Sequence, residues 1–285
     1  MGQGDPRPAR TPVRAGPMSP LDAFALAAAA ALLLTMPLYA LVSRGRPRDP
    51  EVAARPTTVL LGHWVRDWLM WVIAPLERAL VRARVSPLVF NLAGVGLGAA
   101  AGVAYAQGAP AAGGWLVLLG GAADVFDGRI ARARGMISPA GAFLDSTLDR
   151  FAEAFAFAGM AMFYAGSPLR ILAVALALGG SLLVSYTRAR GEGLGVSFRG
   201  GLMQRAERLV LLALASLLDP VAVTALHWAA GSLLVLAVAF IALASTATAA
   251  FRTVAIARAL DQAERRARPG PGAPRRRLRR GRGAS

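Results

Sequence analysis

Asp124-Val125-Phe126-Asp127-Gly128-Arg129-Ile130-Ala131-Arg132, then eight residues, then Gly141-Ala142-Phe143-Leu144-Asp145-Ser146-Thr147-Leu148-Asp149, is the stretch that decides the reading of this chain. Two carboxylates stand three apart and two more stand four apart. On a helix both spacings put the pair on one face. The flanking sequence is apolar enough to cross a membrane. A carboxylate at the centre of a membrane helix costs about 2.5–3.5 kcal/mol, so four left uncompensated would cost roughly 10 kcal/mol. Positive charge has to offset this. The local candidates are Arg129, Arg132 and Arg134, or bound divalent cations, for which carboxylate oxygens suit hard ions such as Mg²⁺ or Mn²⁺. Gly128 removes a side chain directly after Asp127 and leaves the backbone there open to close approach. Gly141 is expected to allow close helix approach beside Asp145.

Composition sets the surroundings. Of the 285 residues 55% are hydrophobic, and the formal charge is +16, with all 32 basic residues arginine. The mean hydropathy of +0.49 is too high for an ordinary soluble domain, and several windows are long enough to span a bilayer. The absence of cysteine excludes disulfides and thiolate metal sites. His63 and His227 have no histidine or cysteine partner at ligand spacing and read as structural.

Working outward, the expected fold is all-α: a polytopic membrane helix bundle of six core transmembrane helices, with an extra N-terminal helix and an interfacial amphipathic helix. Residues 1–20 read as a disordered basic arm. Residues 21–43 read as an extra transmembrane helix rather than a signal peptide, because the run is too long and Arg44–Arg48 does not resemble a cleavage site. Residues 44–62 are a polar linker. Residues 63–85 form the interfacial helix, kinked at Pro75, with Trp64, Trp68 and Trp71 on one face beside Arg66, Arg78, Arg82 and Arg84; packing of that face on the bundle is compatible with this.

Residues 86–258 hold the six core helices. Asp219-Pro220 is expected to make the turn between the fifth and sixth, and residues 259–285 form an Arg-rich tail. The basic residues Arg129, Arg132, Arg134, Arg188, Arg190, Arg199, Arg205 and Arg208, with the tail, fall on one side of the bundle. The positive-inside rule puts them, the Asp stretch and the C-terminus in the cytoplasm of a bacterial-type membrane. The tail can hold anionic lipid headgroups. No aromatic interleaving accompanies the charge, so nucleic acid is not an expected partner.

The pattern D-x2-D-G-x2-A-R-x8-G-x3-D-x3-D resembles the signature of the CDP-alcohol phosphatidyltransferase family, with every fixed position matched. The resemblance implies attack of an alcohol on the β-phosphorus of a CDP-linked lipid, usually CDP-diacylglycerol, with release of CMP. It implies Asp124, Asp127 and Asp145 as metal ligands for two Mg²⁺ or Mn²⁺ ions. Asp149 would be the general base and a further ligand to the second ion. Gly128, Ala131, Arg132 and Gly141 would face the CDP moiety. The resemblance also implies a homodimer. Upstream, Pro87 is kept, but Leu88 replaces a polar residue and Asn91 stands near a usual Thr.

Ser185-Tyr186-Thr187-Arg188-Ala189-Arg190-Gly191-Glu192 and Gln204-Arg205-Ala206-Glu207-Arg208-Leu209 resemble segments of phosphatidylinositol-phosphate synthases. That leans the acceptor towards inositol phosphate, with Arg188, Arg190, Arg205 and Arg208 as its phosphate pocket. Arg188 stands where relatives often carry Lys, and Ala206 where they often carry Pro. The same arginines also read as helix-end charges paired with Glu192 and Glu207. Glycerol phosphate is the main competing acceptor. From a different class, a carboxylate-lined transporter or a silent membrane scaffold would also hold intramembrane aspartates.

Overall fold

The computed structural model describes residues 20–44, 50–53, 62–198 and 200–267. The expected arm at 1–19, most of the 44–62 linker, Arg199 and the tail beyond 267 lie outside the described residues. All regular elements among the described residues are helices: α1 Pro20–Val42, α2 Pro50–Ala53, α3 His63–Arg82, α4 Pro87–Ala106, α5 Pro110–Ala133, α6 Pro139–Phe163, α7 Pro168–Gly193, α8 Arg205–Leu226 and α9 Ser232–Ala267. Proline opens α4, α5, α6 and α7 at the first turn, where its missing N–H is not needed and its φ suits a helix. Helices α1, α4, α7, α8 and α9 are long and apolar enough to cross a membrane. Helices α5 and α6 carry the four aspartates and pack among α4, α7 and α8. The protein is an integral membrane protein.

Close backbone approach holds α4 to α6. A Cβ on Gly98 would stand 2.6 Å from Ala152 Cα, and one on Gly159 would overlap Gly102. With no hydrophobic drive between helices in lipid, such small-residue contact is the main source of packing energy. Gly141, by contrast, has no neighbouring helix against it: a Cβ there would meet its own cap hydroxyl, Ser138 Oγ, at 3.1 Å. The expected close approach beside Asp145 is therefore made further along, at Gly98, Gly102 and Gly159. The core runs through Tyr105, Val117, Phe157, Met160, Leu212, Leu234, Val238 and Ile241, all buried.

The end of the bundle away from the aspartates corrects one expectation. Asp219-Pro220 is not a turn; Pro220 lies inside α8, and the chain reverses at His227–Gly231. Buried Asp219 instead accepts hydrogen bonds from the amides of Gly231 (2.7 Å), Leu233 (3.0 Å) and Leu234 (3.3 Å), which satisfies the free N–H groups at the start of α9. Tyr164 donates to Gly231 O at 2.6 Å, fixing the same turn. A second correction concerns the tail: α9 continues as helix to Ala267. Asp261 and Arg265 pair there at 2.9 Å at i,i+4 spacing, a pattern that supports an exposed helix end.

Helices α1 and α3 lie beside the core. Pro75 stays within an unbroken α3. Its tryptophan face is turned to α1, with Trp68 Nε1 donating to Thr35 Oγ1 at 2.9 Å and Tyr39 against the rings of Trp64 and Trp71 at 5.6 and 5.7 Å.

Candidate active site

The last turns of α5 carry Asp124 and Asp127, and the first half of α6 carries Asp145 and Asp149. Ser138 starts α6 by accepting from Gly141 N at 3.0 Å. That N-cap sets the register of the Asp145 and Asp149 row. Oxygens of Asp124, Asp127 and Asp145 lie within 4.8 Å of one another. Asp127 is buried, and Asp127 Oδ2 and Asp145 Oδ1 are buried without a hydrogen-bond partner. Such buried oxygens are unfavourable unless something positive meets them. An all-oxygen cluster with orphaned buried atoms fits a hard divalent cation.

Arg205, at the start of α8, answers the remaining charge. Nη1 stands 2.7 Å from Asp124 Oδ2 and Nη2 stands 2.6 Å from Asp149 Oδ1. One guanidinium thus bridges the two aspartate helices. The start of α8 is fixed by a reciprocal cap, with Gln204 N donating to Glu207 Oε2 at 2.8 Å. One turn on, buried Arg208 donates to Glu153 at 3.0 Å. Glu153 extends the Asp145, Asp149 row by a further four residues. The sequence reading missed it, although the spacing alone signals it.

Arg252 is the second residue missed. It is buried on α9 and donates to Gly200 O at 2.7 Å and to Val184 O at 2.9 Å. Arg188 and Arg208 lie within electrostatic range of it. Nothing in the local sequence marks it, since no carboxylate or other charge stands within five residues of it.

The other expected residues are placed as follows. Arg188 is exposed at the end of α7 and pairs with Glu192 at 3.0 Å. Arg190 is exposed on the same turn. Gly128 has open space apart from the Arg132 guanidinium, 3.2 Å from where a Cβ would be. Ala131 is half-buried and Arg132 exposed. A cleft joins these elements. Its walls include Phe90 and Asn91 of α4, Gly120 of α5, Asp149 of α6 and Arg205 of α8, and Phe90 packs on Phe126 at 5.7 Å. It opens an apolar path to the carboxylates.

A sequence model of the family described as CDP-alcohol phosphatidyltransferase matches residues 86–249. The chain belongs to the CDP-alcohol phosphatidyltransferase family. The match begins at α4 and takes in all four aspartates, Arg205 and Arg208. Among relatives of this phosphatidyltransferase, a phosphatidylinositol phosphate synthase of Cutibacterium acnes is 35% identical over 208 residues, covering 71% of this chain and 100% of its own. One of Streptomyces avermitilis is 38% identical over 174 residues, covering 59% and 70%. An archaetidylinositol phosphate synthase of Methanothermobacter thermautotrophicus is 36% identical over 149 residues, covering 49% and 75%. Among solved structures, phosphatidylinositol phosphate synthase of Mycobacterium tuberculosis with CDP-DAG bound aligns at TM-score 0.56 and 27% identity, over 64% of this chain and 92% of that one. The same protein in complex with manganese and citrate aligns at TM-score 0.57 and 27% identity, over 64% and 87%.

Proposed function

We propose that this phosphatidyltransferase moves a phosphatidyl group from CDP-diacylglycerol to inositol phosphate and releases CMP. The observation that carries the acceptor is the cation beside the carboxylates: Arg205 bridges Asp124 and Asp149, and one turn on Arg208 is held by Glu153, with Arg252 and Arg188 within electrostatic range of each other. An acceptor that brings its own phosphate suits these arginines, because guanidinium forks match phosphate oxygens. The names of the relatives agree.

Asp124, Asp127, Asp145 and Asp149 would hold two Mg²⁺ or Mn²⁺ ions, which neutralise the pyrophosphate and the leaving CMP when bound. Asp149 takes the proton of the acceptor hydroxyl. The acceptor oxygen bonds to the β-phosphorus as the bond from that phosphorus to the CMP oxygen breaks. Gly128, Ala131, Arg132 and Gly141 would lie along the CDP moiety. Arg188 and Arg190 would complete the mouth of the acceptor pocket. The positive-inside bias supports a site facing the cytoplasm of the cytoplasmic membrane, and family resemblance supports a homodimer.

The test is CMP release from CDP-diacylglycerol in detergent with Mg²⁺, offering inositol phosphate, glycerol phosphate, inositol and serine separately. Release with inositol phosphate alone is expected. Release only with glycerol phosphate would keep the aspartate chemistry and reject the acceptor.

A further inference from the structure

Helix α3 and the turn that follows it grip the aspartate end of α5. Arg129 Nε donates to Glu77 Oε2 at 2.7 Å, with each side chain 16% exposed, and Arg129 Nη1 stands 3.4 Å from Met70 Sδ. Arg134 Nη1 donates to Arg84 O at 3.1 Å and Val85 O at 3.0 Å. Arg84 is one of two left-handed non-glycine residues among those described, with φ 55°. That conformation is uncommon outside glycine and holds where surrounding structure supports it. Here it closes α3 while its own carbonyl and the next one receive Arg134.

Helix α3 is itself braced. Its tryptophan face is taken up by Thr35 and Tyr39 of α1. The other end of α1 is tied back to α5, where Trp115 Nε1 donates to Ala25 O at 2.8 Å. Helices α1, α3 and α5 therefore close a triangle. Two of its sides, α1 and α3, lie before residue 86, where the family match begins. Arg129 occupies a position that the aspartate pattern leaves unspecified.

We propose that Glu77 is a positioning residue for the reaction: through Arg129 it fixes the rotation and height of the last turns of α5, and so the placement of Asp124 and Asp127. The terminal turns of a helix lack part of their internal hydrogen bonding, so a side-chain tether there has leverage that it would lack in mid-helix. Arg129 is two residues from Asp127, and a small rotation at Arg129 is passed directly to both carboxylates. The inference rests on the metal-holding role proposed for these aspartates.

The test uses the full chain in detergent and follows its melting temperature as Mn²⁺ is added. For Glu77→Gln the Mn²⁺ concentration giving half of the full stabilisation is expected to rise about tenfold, the low end of the effect of groups that orient ligands from behind. Each variant's Mn²⁺ response is read against its own metal-free melting temperature, because removing one partner of a mostly buried pair itself lowers stability. Turnover is expected to fall while KM for the acceptor stays as in wild type. Glu77→Arg with Arg129→Glu is expected to recover the wild-type Mn²⁺ response. An unchanged Mn²⁺ response in Glu77→Gln, with a normal response in wild type, would overturn the positioning role alone. A wild type that ignores Mn²⁺ would overturn the metal reading and this inference with it. If Glu77→Gln does not fold, Arg129→Lys, which keeps the charge and loses Nε, carries the same expectation and the same refutation.

Discussion

Arg205 and Asp149 meet at 2.6 Å across 56 positions of sequence, and the same guanidinium reaches Asp124 at 2.7 Å. A cation in that place shields the carboxylates, and in the proposed function it also meets the anionic acceptor. Arg205→Gln removes charge-assisted hydrogen bonds of about 1.5–3 kcal/mol. The expected loss is about 10- to 100-fold in kcat/KM for inositol phosphate. The Mn²⁺ requirement for thermal stabilisation should stay the same or fall, because a competing cation has gone. A rise in the Mn²⁺ requirement would show that Arg205 supports the metal site instead.

Asp149 is the base in the proposed function. Asp149→Asn keeps the size of the side chain and its contact with Arg205 through one oxygen, but cannot take a proton. Turnover should fall by about 10²–10⁴, the usual contribution of a positioned base, while CDP-diacylglycerol still binds. Single-turnover CMP release, together with a binding titration of the lipid, checks both halves. Normal turnover would remove Asp149 from that role.

The α4–α6 crossing gives a contrast between two glycines. Gly159→Val puts side-chain atoms where the backbone of Gly102 lies, whereas Gly96 has no atom within 4 Å of a Cβ. Gly159→Val should destabilise by about 1–3 kcal/mol or more, as overpacking does, and lower the yield of folded protein in size-exclusion chromatography. Gly96→Ala should leave stability unchanged or raise it by up to about 1 kcal/mol.

Asp219 holds three amides at the end of the molecule opposite the site. Asp219→Ala leaves those N–H groups without their acceptor, at about 1–3 kcal/mol. The melting temperature should drop while KM for both substrates stays unchanged. A change in acceptor KM would mean that the reversal at His227–Gly231 communicates with the catalytic end.

The sequence alone determined the helical membrane architecture and the four aspartates, and the reason is that both are local. Hydrophobic runs of bilayer length can satisfy their backbone in lipid only as helices, and carboxylates three or four apart share a face wherever the helix goes. The same local logic reached Arg205 and Arg208 through their resemblance to known segments, and it could have reached Glu153 by extending the row from Asp149.

Tertiary structure decided which charge meets which. Arg205 bridges α5 and α6 only because α8 returns beside them. Arg252 matters only because α9 runs past the loop after α7, and no spacing in the chain encodes that. Asp219-Pro220 has the residues of a turn, yet it sits in a helix because its carboxylate is needed by amides 12–15 positions later. The tryptophans of α3 have the pattern of a membrane-surface face, and helix α1, 33 positions earlier at the Thr35–Trp68 contact, buries Trp68 while Trp64 stays 44% exposed. Side-chain periodicity fixes a face; what lies against that face is set by long-range packing.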